Sequence, residues 1–144
     1  PTETYEDFQQ TLNLMNNIKF INSYSFIFSA RPGTPAYNLE MVNEKEAKKR
    51  LVEFQSLADK IKINYRKELI NKNAKVLFEN KVKNENKYFG RDEYFNSVIF
   101  DAEDKDIGKT VKVIIKNSNQ NTLFGKIENK MKKVWKNKQA RKKR

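Results

Sequence analysis

The chain has 144 residues, of which 38% are hydrophobic and 33% are charged, and its formal net charge is +12. Such a basic excess favours a polyanionic partner, either nucleic acid or an anionic membrane surface, although a lysine-rich composition can also serve solubility alone. The sequence contains neither cysteine nor histidine. Disulfides, thiolate metal sites and histidine acid–base chemistry are therefore excluded within these 144 residues. We expect no bound metal, no membrane span and a cytoplasmic location.

The first forty residues predict a helix followed by a strand and a loop. Thr4 and Asp7 resemble a capping pair, and apolar residues follow at helical spacing, namely Tyr5, Phe8, Leu12, Met15 and Ile18. Residues 21–29 are aromatic and β-branched and predict a strand, whereas residues 31–35 contain two prolines and a glycine and must form a loop. Since the chain begins in the middle of this pattern, we expect it to be a piece of a longer protein.

A second, longer helix is predicted to begin at Asn43, where Glu46 completes a capping box. We expect it to end near Asn71, which gives a length of roughly 40 Å. Its apolar stripe consists of Ala47, Leu51, Phe54, Ala58, Ile61, Tyr65 and Leu69. At that length the segment 43–72 is interpreted as a helix that connects two bodies.

From Ala74 onward the hydrophobic period changes from helical to alternating. The pattern predicts five short strands at intervals of about ten residues, over 76–78, 88–89, 95–100, 111–115 and 122–127. Such a series is typical of a small β-barrel, which we place at residues 73–128. The segment 129–144 is rich in lysine and arginine and is predicted to be a disordered basic tail.

Alternation along the fourth strand places Lys112 and Lys116 on one face, opposite Val111, Val113 and Ile115. A basic face over an apolar interior suits contacts with RNA phosphates that are sensitive to salt and indifferent to sequence. We therefore expect RNA contacts from Lys87, Arg91, Lys109, Lys112, Lys116 and Lys126.

The pair Gly90-Arg91 is of particular interest, because a glycine permits a positive φ or a bulge that would direct Arg91 outward. The alternative is a surface ion pair of Arg91 with Asp92 or Glu93. Aromatic residues nearby could stack on unpaired bases. Since aromatics on short strands usually belong to the core, we expect at most one or two of these to be exposed: Tyr88, Phe89, Tyr94 and Phe95.

Several motifs carry a resemblance to a known family. Residues 28–36, FSARPGTPA, resemble the YSPRPGTPA signature of the tRNA methylthiotransferases, the radical-SAM enzymes of the MiaB family, and residues 1–8 look like that family's FPGETEEDF stretch. Gly90-Arg91, residues 96–100, Gly108 and residues 111–113 and 123–125 are similar to its C-terminal TRAM domain. The resemblance implies an α+β chain. Terminal βα units of a radical-SAM (β/α) barrel at 1–42 would precede the connecting helix and a five-stranded antiparallel, OB-like TRAM barrel.

The resemblance also implies a function. Within the family, the proline-glycine signature favours the enzyme that adds a methylthio group to C2 of N6-isopentenyladenosine next to the anticodon, using two [4Fe-4S] clusters and S-adenosylmethionine. A threonylcarbamoyladenosine-specific methylthiotransferase and a stand-alone RNA-binding module are the alternatives. Without cysteines this part can hold neither cluster, so we expect it to contain no catalytic residues, to bind no cofactor alone and to be inactive by itself.

Arg31 is the one candidate for cofactor contact. It follows the predicted strand 21–29, at the end of the barrel where such enzymes carry their active sites. Its side chain could bind a cofactor carboxylate or an RNA phosphate; alternatively it caps the loop or pairs with a nearby acid.

The expected partner of the chain is the anticodon stem-loop of tRNA, bound by a monomer.

Overall fold

The structure is a computed structural model that describes residues 1–83, 85, 87–103 and 106–128. The predicted basic tail, 129–144, lies outside the described residues. Residues 1–65 form one compact unit, and a second unit begins at Arg66. Within the described ranges, neither helix is long and apolar enough to cross a membrane.

Helix α1 spans Tyr5–Ile18, and the predicted capping pair at its start is confirmed. The Thr4 hydroxyl accepts a hydrogen bond from the Asp7 amide at 3.1 Å, and the Asp7 carboxylate accepts one from the Thr4 amide at 2.9 Å. Three members of the predicted stripe are buried, Phe8, Leu12 and Met15, whereas both ends of the stripe remain exposed. The helix therefore buries a single narrow face.

The strand predicted over residues 21–29 is wrong: this segment is irregular. A strand exists only where a neighbouring strand supplies backbone partners, and no described residue forms a ladder with this segment. Its aromatic side chains are correspondingly exposed, Tyr24 at 90% and Phe26 at 85%. The local sequence favours a strand, but no described strand lies beside this segment to pair with it.

The predicted loop at residues 31–35 is confirmed as a tight turn. The backbone amide and the hydroxyl of Thr34 both donate to the Arg31 carbonyl, at 3.3 and 2.8 Å. Gly33 has a φ of 83°, which L-residues with a side chain rarely adopt. A short 3₁₀ helix, Pro35–Asn38, follows this turn.

Helix α2 spans Glu44–Glu68 and begins at the predicted N-cap. The side-chain oxygen of Asn43 accepts hydrogen bonds from the amides of Lys45 and Glu46 at 3.0 and 3.4 Å. The Glu46 carboxylate is hydrogen-bonded to the Arg50 side chain at 3.3 Å. The helix ends three residues before the predicted Asn71, which has a φ of 66° and donates its amide to the Ile115 carbonyl at 2.8 Å.

The five predicted strands are confirmed and form a closed barrel. They are β1 Asn73–Lys81, β2 Tyr88–Asp92, β3 Ser97–Asp101, β4 Thr110–Ser118 and β5 Thr122–Ile127, in the spatial order β1-β2-β3-β5-β4. The pairing is antiparallel except between β3 and β5, which run parallel. An odd number of strands cannot alternate in direction all the way around a closed ring, so one parallel pair is unavoidable.

Inward-facing residues of all five strands fill the barrel with an apolar core. The Phe78 ring packs edge-on against Tyr88 and Phe100, with centroid distances of 4.8 and 5.3 Å. Burial of a large apolar side chain contributes about 1.5–3 kcal/mol to stability. The apolar side chains that are at most 1% exposed are Val76, Phe78, Val98, Phe100, Val113, Ile115 and Leu123.

Candidate functional site

Exposed lysines lie on the outward faces of three adjacent strands. Along β4, Lys112 and Lys116 are exposed while Val113 and Ile115 are buried, which confirms the predicted alternation. Lys126 on β5 is also exposed, and its register partner on β4 is Ile114. Sequence reasoning missed one further lysine of this surface.

That missed residue is Lys75 on β1, which lies directly opposite Lys112. The alternation that predicts the outward lysines of β4 applies equally here, since Lys75 stands between the buried Ala74 and Val76. We call the four residues Lys75, Lys112, Lys116 and Lys126 the lysine face. Lys75 and Lys112 are register partners on neighbouring strands and carry the same charge, so this surface should favour an anion.

Acidic residues pair with two of the predicted RNA-binding lysines. Lys112 is 2.7 Å from the Glu128 carboxylate, and Lys109, beside β4, is 3.7 Å from Asp106. Both lysine side chains are more than half exposed, and ion pairs of this kind contribute about 0–1 kcal/mol. A phosphate could therefore replace either carboxylate at little cost.

The remaining predicted lysines are unpaired within the described part of the chain. Lys116 and Lys126 have no carboxylate within ion-pair distance among the described residues. Lys87 is exposed immediately before β2, and its carbonyl accepts the Val82 amide at 2.8 Å. The structure thus brings Lys112, Lys116 and Lys126 together on β4 and β5. Lys87 lies apart from them, in the loop between β1 and β2.

Arg91 points outward from β2, as predicted, but its partners differ from those expected. Its guanidinium lies 3.6 Å from the Glu79 carboxylate, and its central carbon lies over two aromatic rings, 5.4 Å from Phe89 and 5.0 Å from Phe95. Glu93 instead accepts a hydrogen bond from the Lys75 amide. The arginine is held by stacking and by one long ion pair, with 37% of its side chain exposed.

Gly90 does not adopt the positive φ that a glycine permits, and a bulge lies in the opposite strand, between Phe78 and Asn80 of β1. Its role is steric. A Cβ atom at this position would collide with the Leu77 carbonyl and with the Val76 side chain. Glycine is therefore required by the close approach of β1 to β2, a tertiary contact that local sequence does not reveal.

The turn between β2 and β3 presents two exposed aromatic residues. Tyr94 is 66% exposed and Phe95 is 75% exposed, whereas Tyr88 is buried and Phe89 is half-buried. This confirms the expectation that at most two of the four would be exposed. Phe95 has a φ of 66°, in the left-handed region that bulky residues avoid.

In the first unit, Arg31 is exposed, and within the described ranges its side chain has no ion-pair partner. A groove of about 410 Å³ in this unit is largely apolar and does not include Arg31. Its aromatic lining residues are Phe8, Phe26, Phe28 and Phe54. The alternative, an ion pair of Arg31 with a nearby acid, is thus not observed in the described part of the chain.

The donor set does not fit the iron–sulfur clusters that the sequence resemblance implies. Such clusters are bound mainly by cysteine thiolates, and the sequence contains none. Among the described residues there is also no group of three or more histidine, cysteine, aspartate or glutamate side chains placed to bind a metal ion. The chain therefore supplies no cysteine ligand for an iron–sulfur cluster.

Comparison with known proteins finds similarity along most of the chain. Residues 67–127 match the TRAM domain family. The chain is 51% identical over 133 residues to the tRNA-2-methylthio-N(6)-dimethylallyladenosine synthase of Pelagibacter ubique (strain HTCC1062), which covers 92% of this chain and 30% of that protein. Proteins of the same name from Wolbachia sp. subsp. Brugia malayi (strain TRS) and Desulfitobacterium hafniense (strain Y51) are 39% and 35% identical, over 88% and 87% of this chain. The chain spans about three tenths of the length of these relatives.

Proposed function

The chain belongs to the MiaB family of tRNA methylthiotransferases, and from this premise we propose that its β-barrel is the C-terminal, tRNA-binding part of such an enzyme. The whole enzyme would add a methylthio group to C2 of N6-isopentenyladenosine next to the anticodon. The names of the relatives support this substrate, because dimethylallyladenosine and isopentenyladenosine denote the same modified nucleoside. The barrel would bind the anticodon stem-loop as part of a cytoplasmic monomer.

The observation that carries the proposal is the lysine face on the barrel. Lys75, Lys112, Lys116 and Lys126 project from adjacent strands whose inner faces form an apolar core. Lysines on a fixed sheet can contact successive phosphates of an RNA backbone without reading its sequence. Such contacts supply affinity and orientation, which suits a module that holds an RNA while another part modifies it.

The division of labour follows from the residues that the chain lacks. By family membership the enzyme uses two [4Fe-4S] clusters and S-adenosylmethionine to supply the methylthio group. Because this chain contains no cysteine, cluster ligands must come from residues other than these. In this proposal residues 1–42 are the last units of the cofactor-binding barrel, 43–72 connect, 73–128 bind RNA and 129–144 add basic charge.

Arg31 is proposed to contact the cofactor carboxylate or an RNA phosphate. Its exposed guanidinium lies on a turn fixed by the hydrogen bonds of Thr34 to the Arg31 carbonyl. A rigid turn positions a long side chain better than a mobile loop does. No acid in the described part of the chain neutralises the charge of the guanidinium, so the side chain is available to bind an anion.

The test is a tRNA-binding titration at increasing salt. The double variant Lys116→Ala/Lys126→Ala removes two charges from the lysine face. The control Lys45→Ala/Lys60→Ala removes two exposed charges from α2. We expect the slope of log affinity against log salt to fall by about 0.7–0.9 for each lost phosphate contact in the first variant only.

Two results would contradict the proposal. Wild-type affinity that does not fall as salt rises would exclude phosphate contacts altogether. Equal slopes for the two double variants would mean that tRNA responds to the total charge of the chain and not to the lysine face.

A further inference from the structure

We propose that the turn between β2 and β3 is a stacking site for a single unpaired nucleobase, with Phe95 as the platform and Arg91 as its support. The inference deepens the proposed RNA-binding function and rests on it. It adds a defined contact with a base to a surface that otherwise contacts only phosphates. Neither the lysine face nor the barrel core requires an aromatic residue at this position.

The first argument is the backbone of Phe95. Its φ of 66° suits glycine or asparagine, and a bulky aromatic residue is disfavoured there. Strained residues of this kind cluster at functional sites, where the surrounding structure enforces them. Here the enforcement comes from Asp92, whose carbonyl accepts the Phe95 amide at 3.0 Å.

The second argument is that the Phe95 side chain does not contribute to the core. It is 75% exposed, and its ring lies on the guanidinium of Arg91, 5.0 Å from the centroid. The conformation of the turn is fixed by backbone amides that donate to the buried Asp92 carboxylate, from Tyr94 at 3.0 Å and from Asn96 at 2.8 Å. The strain therefore serves to display the ring, because the turn does not need the ring to keep its shape.

The third argument concerns the cation beneath the ring. The Arg91 guanidinium lies over both Phe89 and Phe95, so one cation contacts two aromatic rings at the edge of the barrel. A base could stack on the Phe95 ring, which is largely exposed. The N–H groups of Arg91 could then exchange the Glu79 carboxylate, 3.6 Å away, for the phosphate of the same nucleotide.

The chemistry selects an unpaired base over other flat ligands. A base inside a duplex has both faces covered by its neighbours, whereas a base in a loop offers one face to an aromatic side chain. An exposed aromatic residue can also anchor a protein partner. The net charge of +12 and the adjacent arginine favour a polyanion instead.

The experiment compares a fluorescein-labelled single-stranded RNA of twelve nucleotides with a duplex of the same length. Phe95→Asn keeps a residue that tolerates a positive φ but removes the ring; Phe95→Trp keeps a larger ring. Tyr24→Asn removes an aromatic side chain that is 90% exposed in the first unit and serves as the matched control. Affinity is measured by fluorescence anisotropy, and folding is checked by thermal melting.

We expect Phe95→Asn to bind the single strand about tenfold more weakly than wild type, since stacking on one aromatic side chain commonly contributes such a factor. Its duplex affinity should stay within twofold, and its melting temperature should not fall. Phe95→Trp should bind the single strand at least as tightly as wild type, and Tyr24→Asn should resemble wild type.

The possible failures are distinguishable. If wild type binds neither RNA, the proposed function fails and this inference fails with it. If wild type binds RNA in a salt-dependent manner but Phe95→Asn binds the single strand equally well, only the stacking site is overturned. Should Phe95→Asn melt well below wild type, the ring has a structural role, and weaker binding by Phe95→Trp would then exclude stacking as well.

Discussion

Asp92 and Asn96 hold the β2–β3 turn together through their buried side chains. One Asp92 carboxylate oxygen accepts a hydrogen bond from the Asn96 side-chain amide at 2.9 Å, and the other accepts the Asn96 backbone amide at 2.8 Å. The two residues are only 7% and 2% exposed. This pair makes the turn rigid enough to keep Phe95 in its unfavourable backbone conformation.

Replacement of Asp92 by alanine should therefore destabilise the barrel. Asp92→Ala leaves buried amide donors without an acceptor, and we expect the free energy of unfolding to fall by about 2–3 kcal/mol. Urea denaturation measures this change. Asp101→Ala removes the same charge from an exposed position on β3 and should change the value by less than about 0.5 kcal/mol. Equal losses would show that the buried hydrogen bonds are not the cause.

Gly90 should tolerate alanine less well than Gly108 does. Alanine at Gly90 would collide with the backbone of β1, and we expect a loss of about 3 kcal/mol, at the upper end of what overpacking costs. Gly108 has open space around it but a φ of 80°, so Gly108→Ala should cost only the left-handed strain of about 1–2 kcal/mol. Denaturant midpoints of the two variants test the order, and the reverse order would refute the steric explanation for Gly90.

The α1 cap should be lost in acid. Hydrogen bonds from the Thr4 backbone and then from the Thr4 side chain lower the pKa of Asp7 below its ordinary value of 3.8, and the charge of Arg50 lowers it further. Because the pKa is depressed in the folded state, the cap stabilises the helix fully above pH about 4. This contribution is lost as the pH falls through the folded value.

A carboxyl-carbon NMR titration of Asp7 measures this directly. Its midpoint should lie below 3.8 in wild type and should rise part of the way back in Thr4→Val, which retains the backbone donor. A midpoint at or above 3.8 in wild type would contradict the capping interaction.

Arg50 should be the main polar support of the first unit. Its guanidinium donates to the Glu3 carboxylate at 2.7 Å and to the carbonyls of Glu3 and Thr4, and it lies 5.8 Å from the Phe8 ring centroid. In Arg50→Ala the amides of α1 should exchange with solvent faster, while those of the barrel strands keep their wild-type rates. Lys48→Ala, which breaks an exposed pair within α2, is the control and should leave α1 unchanged.

Hydrophobic period and turn chemistry were sufficient to predict most of the fold. The caps at Thr4 and Asn43 depend on residues three positions apart, and the barrel strands depend on alternation, so both are visible in a single sequence. The exposed lysines of β4 follow from the same alternation. These features depend on residues close together in the sequence, so a single sequence reveals them.

The features that could not be predicted depend on distant parts of the chain. Residues 21–29 have the composition of a strand, yet a strand also requires a neighbour. Gly90 is fixed by the approach of β1, and the partner of Arg91 is an acid on another strand. Arg66, a charged residue within α2, is only 3% exposed, which its helical spacing gives no reason to expect.

The position of β5 between β3 and β4 has a consequence for biosynthesis. A ribosome produces β1, β2 and β3 as a simple meander and then β4, which can pair with β1 alone. Until Ile127 has emerged, β3 and β4 each have an edge that could pair with a strand of another nascent chain. The barrel can therefore close only when its last strand is complete, and an arrest before that point would release an aggregation-prone intermediate.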